Sequence, residues 1–412
     1  MKRSVGVLLF IVLMGTPLYA QFDNIGVGGG LGLISIGDTL WFDMRLNTEL
    51  SIGKLGVGLD VPVRINPTYG IRKGDWESQK IIGNIVKYVR WGQMGDPFHF
   101  RVGALYNSTL GHGFIMYNYN NRLREYDDPK IGLELSAIIG PVGFEFINSD
   151  FGRLGVMGFR GLIRPMPQSV PIIRNFEIGA AIVNDFNPGE PDTTLPQVTV
   201  WGADAGLPIL KLSFLRFGLY GDYAQIKDAG HGFAYGAALT VPNILGVLEF
   251  NAKLEQRNLS EHFLPSYFDG MYEVDKATKF ARLDSITEPV KGTFGELAGT
   301  VLGKIQVAGN YFHQDDVPGS GVLNIEATTG KAIPVLTANF RYHKDGIEKL
   351  KEVFTVNDRS YFIFEGGYRI YPFLTIYLSM RRSFTYDEAT GTYIPQDTYG
   401  TRLEFSWNFG GN

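Results

Sequence analysis

From Phe42 onward the chain alternates. Phe42, Met44, Leu46, Leu50 and Ile52 are apolar, while Asp43, Arg45, Asn47, Glu49 and Ser51 between them are polar. That period of two gives a strand one apolar and one polar face. After Gly53-Lys54 the alternation restarts as Leu55, Val57, Leu59, Val61, Val63 and Ile65, so two strands joined by a two-residue turn form a hairpin. Facing Ile52 with Leu55 sets the register: Leu50 meets Val57, Leu46 meets Val61, Met44 meets Val63 and Phe42 meets Ile65, all on one face. On the other face Asn47 meets Asp60, and Asp43 meets Arg64 as a cross-strand ion pair. Each strand runs about 11 residues, enough for a tilted strand to cross a bilayer's hydrocarbon and roughly twice the usual soluble strand.

Similar candidates follow at 25–35, 80–91, 98–106, 131–139, 142–146, 176–183, 198–205, 214–225, 233–241, 248–257, 295–302, 305–312, 322–328, 335–342, 361–370, 374–384 and 399–409. Their connections alternate in size. Those at Gly53-Lys54, Gly140-Pro141, Pro242 to Gly246, Gly303-Lys304 and Tyr371 to Phe373 are short, and those around 66–78, 107–129, 258–293 and 385–397 are long. The pattern predicts an all-β fold, a transmembrane antiparallel up-and-down β-barrel of about 16–20 strands, with short periplasmic turns and long outer loops. The segment 107–128 is rich in Asn and Tyr, and 258–293 has no sustained period, so both are expected to be loops. Ile347, Leu350 and Phe354 suggest a short amphipathic helix within 344–358.

The N-terminus indicates the compartment. Lys2 and Arg3 precede an apolar run from Val5 to Met14, then Gly15, Pro17 and Ala20, the form of a secretory signal spanning 1–20 and cleaved before Gln21. Residues 21–412 would then form the barrel, with 36 basic against 42 acidic side chains, nothing like the footprint of a nucleic-acid binder. Without cysteine there is no lipid-attachment cysteine, disulfide framework or thiolate metal site. The 21 Tyr and 29 Phe suit interfacial girdles better than a single globular core.

Near the C-terminus Leu403, Phe405, Trp407 and Phe409 alternate with Arg402, Glu404, Ser406 and Asn408. This resembles the terminal strand that bacterial outer-membrane β-barrels of the porin-like superfamily present to their insertion machinery. The resemblance implies the outer membrane of a diderm bacterium, contact with its lipid, insertion through that final strand, and passage of small solutes.

The polar face nominates the functional residues. Asp43, Arg45, Asn47, Glu49, Asp60, Arg64, Arg101, Glu134, Glu145, Glu177, Glu249, Lys253, Glu255, Arg341, Glu365, Arg369, Arg402 and Glu404 would each cost about 2–4 kcal/mol if charged and turned to lipid at the midplane, so they are expected to line a pore. A barrel of this size encloses more space than side chains alone fill. The expected function is therefore passive diffusion of small hydrophilic solutes. Two alternatives remain open: a fatty-acid type barrel whose apolar pocket draws on Phe263, Leu264, Tyr267, Phe268 and Met271, and a non-transport barrel anchoring a surface or periplasmic partner.

No cofactor, metal site or catalytic residue is nominated. The glycine-rich run Gly26 to Gly32 has a hairpin rather than a helix after it, which argues against a nucleotide loop and for a strand that neighbours approach closely. Gly-His-Gly-Phe occurs at 111–114 and 230–233, but His112 and His231 have no third ligand at fixed spacing. No Ser–His or Asp–His spacing nominates an enzyme.

Overall fold

The computed structural model describes residues 24–36, 39–76, 84–122, 130–165, 173–188, 195–244, 248–329, 333, 335–387 and 392–409. The predicted signal lies outside them. Twenty strands form the ring: β1 (Asn24–Ile36), β2 (Thr39–Ile52), β3 (Leu55–Asn66), β4 (Val86–Trp91), β5 (Phe98–Gly103), β6 (Gly132–Ile139), β7 (Val142–Asn148), β8 (Val156–Ile163), β9 (Glu177–Asp185) and β10 (Val198–Lys211). They continue as β11 (Arg216–Ile226), β12 (His231–Ile244), β13 (Leu248–Leu259), β14 (Val290–Val301), β15 (Ile305–Gln314), β16 (Gly321–Thr328), β17 (Leu336–Ile347), β18 (Ser360–Tyr371), β19 (Leu374–Asp387) and β20 (Thr392–Phe409). Each pairs antiparallel with the next, and β1 pairs with β20 from Ile25 opposite Phe409 to Ile34 opposite Gly400. The sheet therefore closes and has no free edge, the condition for a β-structure to sit in hydrocarbon.

The first hairpin has the register read from its alternation, from Phe42 opposite Ile65 to Ile52 opposite Leu55. Outward residues such as Leu31, Leu33, Phe42, Leu46, Leu254, Leu297 and Leu378 are exposed to the surroundings, while Asp43, Arg64, Glu134, Arg160 and Glu255 are buried inside. Aromatic rings mark the two rims. Tyr371, Phe373 and Trp407 stack beside a short turn, with 6.1 Å between the Phe373 and Trp407 rings. Trp201, Phe233 and Tyr235 lie exposed near the opposite end. Such belts sit at the two membrane interfaces.

The structure corrects several expectations. The alternation does not predict β8, and the end expected at 106 for the fifth strand moves to Gly103. The strand expected over 80–91 begins at Val86, and residues 77–83 lie outside the described residues. The loop expected at 385–397 is largely strand, with Asp387 opposite Thr392. The helix expected within 344–358 is only a three-residue 3-10 turn, Leu350–Glu352, because β17 runs on to Ile347. The largest correction concerns the two long connections 107–129 and 258–293. Their described parts turn into the barrel and pack there, and the second contains a helix, α1 (Tyr272–Ser285).

Candidate functional site

The inward turn begins where β5 stops. Gly103 has φ of +122°, a conformation that favours glycine, and Ala104 and Leu105 beyond it are fully buried. Leu110, Phe114, Ile115 and Met116 then pack against Phe263, Tyr267, Phe268 and Tyr272 from the connection between β13 and β14. Burying each large side chain is worth about 1.5–3 kcal/mol, so this cluster forms a core inside the ring. Backbone bonds join the two segments: Ser266 N–H donates to the Phe114 carbonyl at 2.8 Å, and Tyr117 N–H to that of Phe268 at 3.1 Å. α1 is fastened by charge. Glu273 accepts from Lys130 Nζ at 2.6 Å and from the Tyr119 hydroxyl, while the Tyr272 hydroxyl donates to Asp185 at 2.9 Å. Burial alone would raise the Glu273 carboxyl, but Lys130 and Lys276 hold it below the ordinary range.

The wall behind these segments carries an ionic web. Arg160 reaches Asp204 at 2.8 Å, Glu177 at 2.9 Å and Glu145 at 3.3 Å, and Glu145 in turn accepts the Gly111 N–H at 3.1 Å. Lys253 donates to the His112 carbonyl at 2.7 Å. His112 Nδ1 lies 3.2 Å from Asp222, with its ring stacked on Tyr220 at 4.3 Å. Glu255 accepts from Arg257 at 2.7 Å and from the Tyr220 hydroxyl at 2.8 Å. Glu134 accepts the Ser108 hydroxyl at 3.0 Å, and Arg101 donates to the Ala104 carbonyl at 2.7 Å. Glu134, Glu145, Lys253 and Arg101 thus bond the inward connection directly, and Glu177 and Glu255 brace that wall. His112 and His231 belong to different environments, and no group of three metal-ligating side chains occurs among the described residues.

Cavities lie against the other half of the ring. Three cavities of about 240, 750 and 500 Å³ share lining residues, and Arg341 borders all three. Glu249 and Glu365 line the largest, and Asp43, Arg45, Glu365 and Arg402 line the third. Their charges are paired along the wall: Arg341 with Glu326 at 3.4 Å, Arg402 with Glu365 and Glu404 at 3.2 Å each, Arg45 with Asp43 at 2.8 Å and Asp60 at 3.4 Å. Arg64 bonds Asp43 and Asp75. Asn47, Glu49 and Glu404 border a further cavity of about 200 Å³, where Glu49 accepts the Tyr88 hydroxyl at 2.6 Å. Arg369 is half-buried on the same strand face as Glu365 but lines none of these four. Alternation on the strands did not nominate Asn107, Asn118 and Asn120 of the inward connection, nor Glu326, His343 and Tyr361, which border the 240 Å³ cavity. The Asn- and Tyr-rich composition of 107–128 was the signal available.

A closed ring with an apolar outside and a charged inside places the chain in the outer membrane as a transmembrane β-barrel. No family model matches the chain, and no curated protein matches it. Among solved structures it is similar to the outer membrane protein OpdK of Pseudomonas aeruginosa, at 12% identity over 94% of this chain and 99% of that one, TM-score 0.34. It is likewise similar to OccK5 (OpdH) of the same organism, at 14% identity over 94% and 98%, TM-score 0.35. OccAB2 of Acinetobacter baumannii matches at 10% identity over 96% and 100%, TM-score 0.34. Likeness at this level assigns neither a family nor a solute.

Proposed function

We propose that the chain is an outer-membrane channel for passive diffusion of small hydrophilic solutes, made as a precursor cleaved before Gln21 and inserted through its C-terminal strand. The observation that carries this is a set of three cavities that share lining residues and are all bordered by Arg341, with charged wall residues around them. Selectivity then comes from width and wall charge, with no chemical step. A barrel for hydrophobic cargo is less well supported, because Phe263, Tyr267 and Phe268 fill their own space against Phe114 and Met116, while Met271 borders a polar cavity instead.

Single-channel recording of the mature protein in a planar bilayer tests the proposal, beside a Glu249→Gln, Glu365→Gln variant. Stable conductance with a weaker cation preference in the variant is expected, since both carboxylates border the largest cavity. A correctly inserted barrel that passes no current would sink it.

A further inference from the structure

The smallest of the three cavities that Arg341 borders is rich in asparagine. Asn107 and Asn118 come from the inward connection and Asn310 and Asn324 from the wall, with His343 and Tyr361 beside them. Asn107 and Asn118 both hold left-handed backbone, φ +58° and +52°, which asparagine tolerates better than most residues. On the wall the amides are fixed by a chain of bonds. Asn324 Nδ2 donates to Asn310 Oδ1 at 2.9 Å, so its Oδ1 is the atom that accepts from His343 Nδ1 at 2.7 Å. The His343 ring stacks on Tyr361 at 5.4 Å and 18°.

The charged groups around this cavity have neighbours that answer them. Arg341 pairs with Glu326, Asp269 with Lys279 at 2.5 Å, and Glu296 accepts the Tyr117 hydroxyl. Among these bonded charges stand the asparagine amides, each able to donate and accept, beside aromatic rings with an apolar face. Sugar hydroxyls also donate and accept, and a sugar ring has an apolar C–H face. A polyol can satisfy both kinds of group at once. At about 240 Å³ the space is below the roughly 300–1,000 Å³ of drug-sized pockets, which suits a single sugar ring.

From this juxtaposition we infer that this cavity is a binding subsite for a neutral sugar, an assignment that rests on the channel proposal and names its solute class. Weak, fast exchange is what conduction requires.

Saturation-transfer NMR on the detergent-solubilised mature barrel tests it, with glucose as probe and a polyethylene glycol of similar radius as control. The variants are Asn324→Leu, which breaks the amide chain, and Asn107→Gly, which removes a side chain while keeping the left-handed backbone. Heat-modifiable migration on SDS gels confirms that each has folded. Glucose should give a signal that the polymer does not, weakened about tenfold in both variants, as loss of one or two well-placed hydrogen bonds implies. A glucose signal equal to the polymer's, or unchanged in both folded variants, overturns the subsite. Bilayer current is scored separately on the same preparation. A conducting barrel that ignores glucose loses the sugar site and keeps the channel, while a silent barrel loses the channel and, with it, a sugar's route through.

Discussion

Glu273 is the carboxylate on which both inward connections converge. It accepts from Lys130 just before β6 and from Tyr119 earlier in the first connection, while itself belonging to α1 in the second. Because its folded pKa lies below the ordinary carboxylate value, its contribution is fully present above pH ~4.5 and is lost as pH falls through the folded pKa. The inward fold should therefore hold from neutral pH down to about 4.5 and loosen below it. Limited proteolysis of the 260–289 segment across pH 7 to 3 checks this, and uniform protection down to pH 3 would contradict it. Glu273→Gln should remove the buried carboxylate charge that Lys130 and Lys276 face, at about 3–5 kcal/mol, and raise cleavage even at neutral pH. The polar side of each strand nominated the charges individually. It carried no information on which of them, such as Lys253, would bond a connection and which, such as Glu249, would face open space.

At the scale of elements, the seam between β1 and β20 is a demanding contact. A Cβ on Gly32 would overlap the Thr401 carbonyl, a backbone atom that cannot swing aside, whereas one on Gly29 would meet the Arg45 carbonyl only at 3.4 Å. Gly32→Val is expected to hinder closure, seen as loss of the heat-modifiable folded band, and Gly29→Ala is expected to leave it intact. Equal behaviour of the two would show that the seam adjusts. The one strand of the ring that the alternation does not predict has a related explanation. In β8 the inward positions Val156, Gly158 and Leu162 are apolar or small, with only Arg160 charged, because this wall faces the packed interior rather than water. A Cβ on Gly158 would meet Leu110 of the inward connection at 2.8 Å. Where the lumen is filled by apolar side chains, the alternation that marks a strand disappears.

For the molecule as a whole, the sidedness of the ring sets what each position tolerates. Leu46 faces outward near the middle of β2 and Asn47 faces inward beside it. Leu46→Arg should cost about 2–4 kcal/mol, and Asn47→Arg much less, since only the first is turned to lipid. Urea midpoints of refolding into vesicles measure both, and a larger loss at Asn47 would reverse the assignment of faces.

The sequence by itself determined the class, the membrane and the register of the first hairpin. Those features are local: the period of two depends on residues two apart, and a two-residue turn leaves one register that keeps every apolar side chain on one face. It did not determine what occupies the lumen. Residues 107–128 and 258–293 lack a period that either lipid or water would impose, and their inward fold is held by pairs such as Tyr119 and Glu273, 154 positions apart. Only closure of the ring brings such residues together. The tertiary structure therefore decided which half of the barrel is filled, which charges brace that half, and where the asparagine-rich cavity lies.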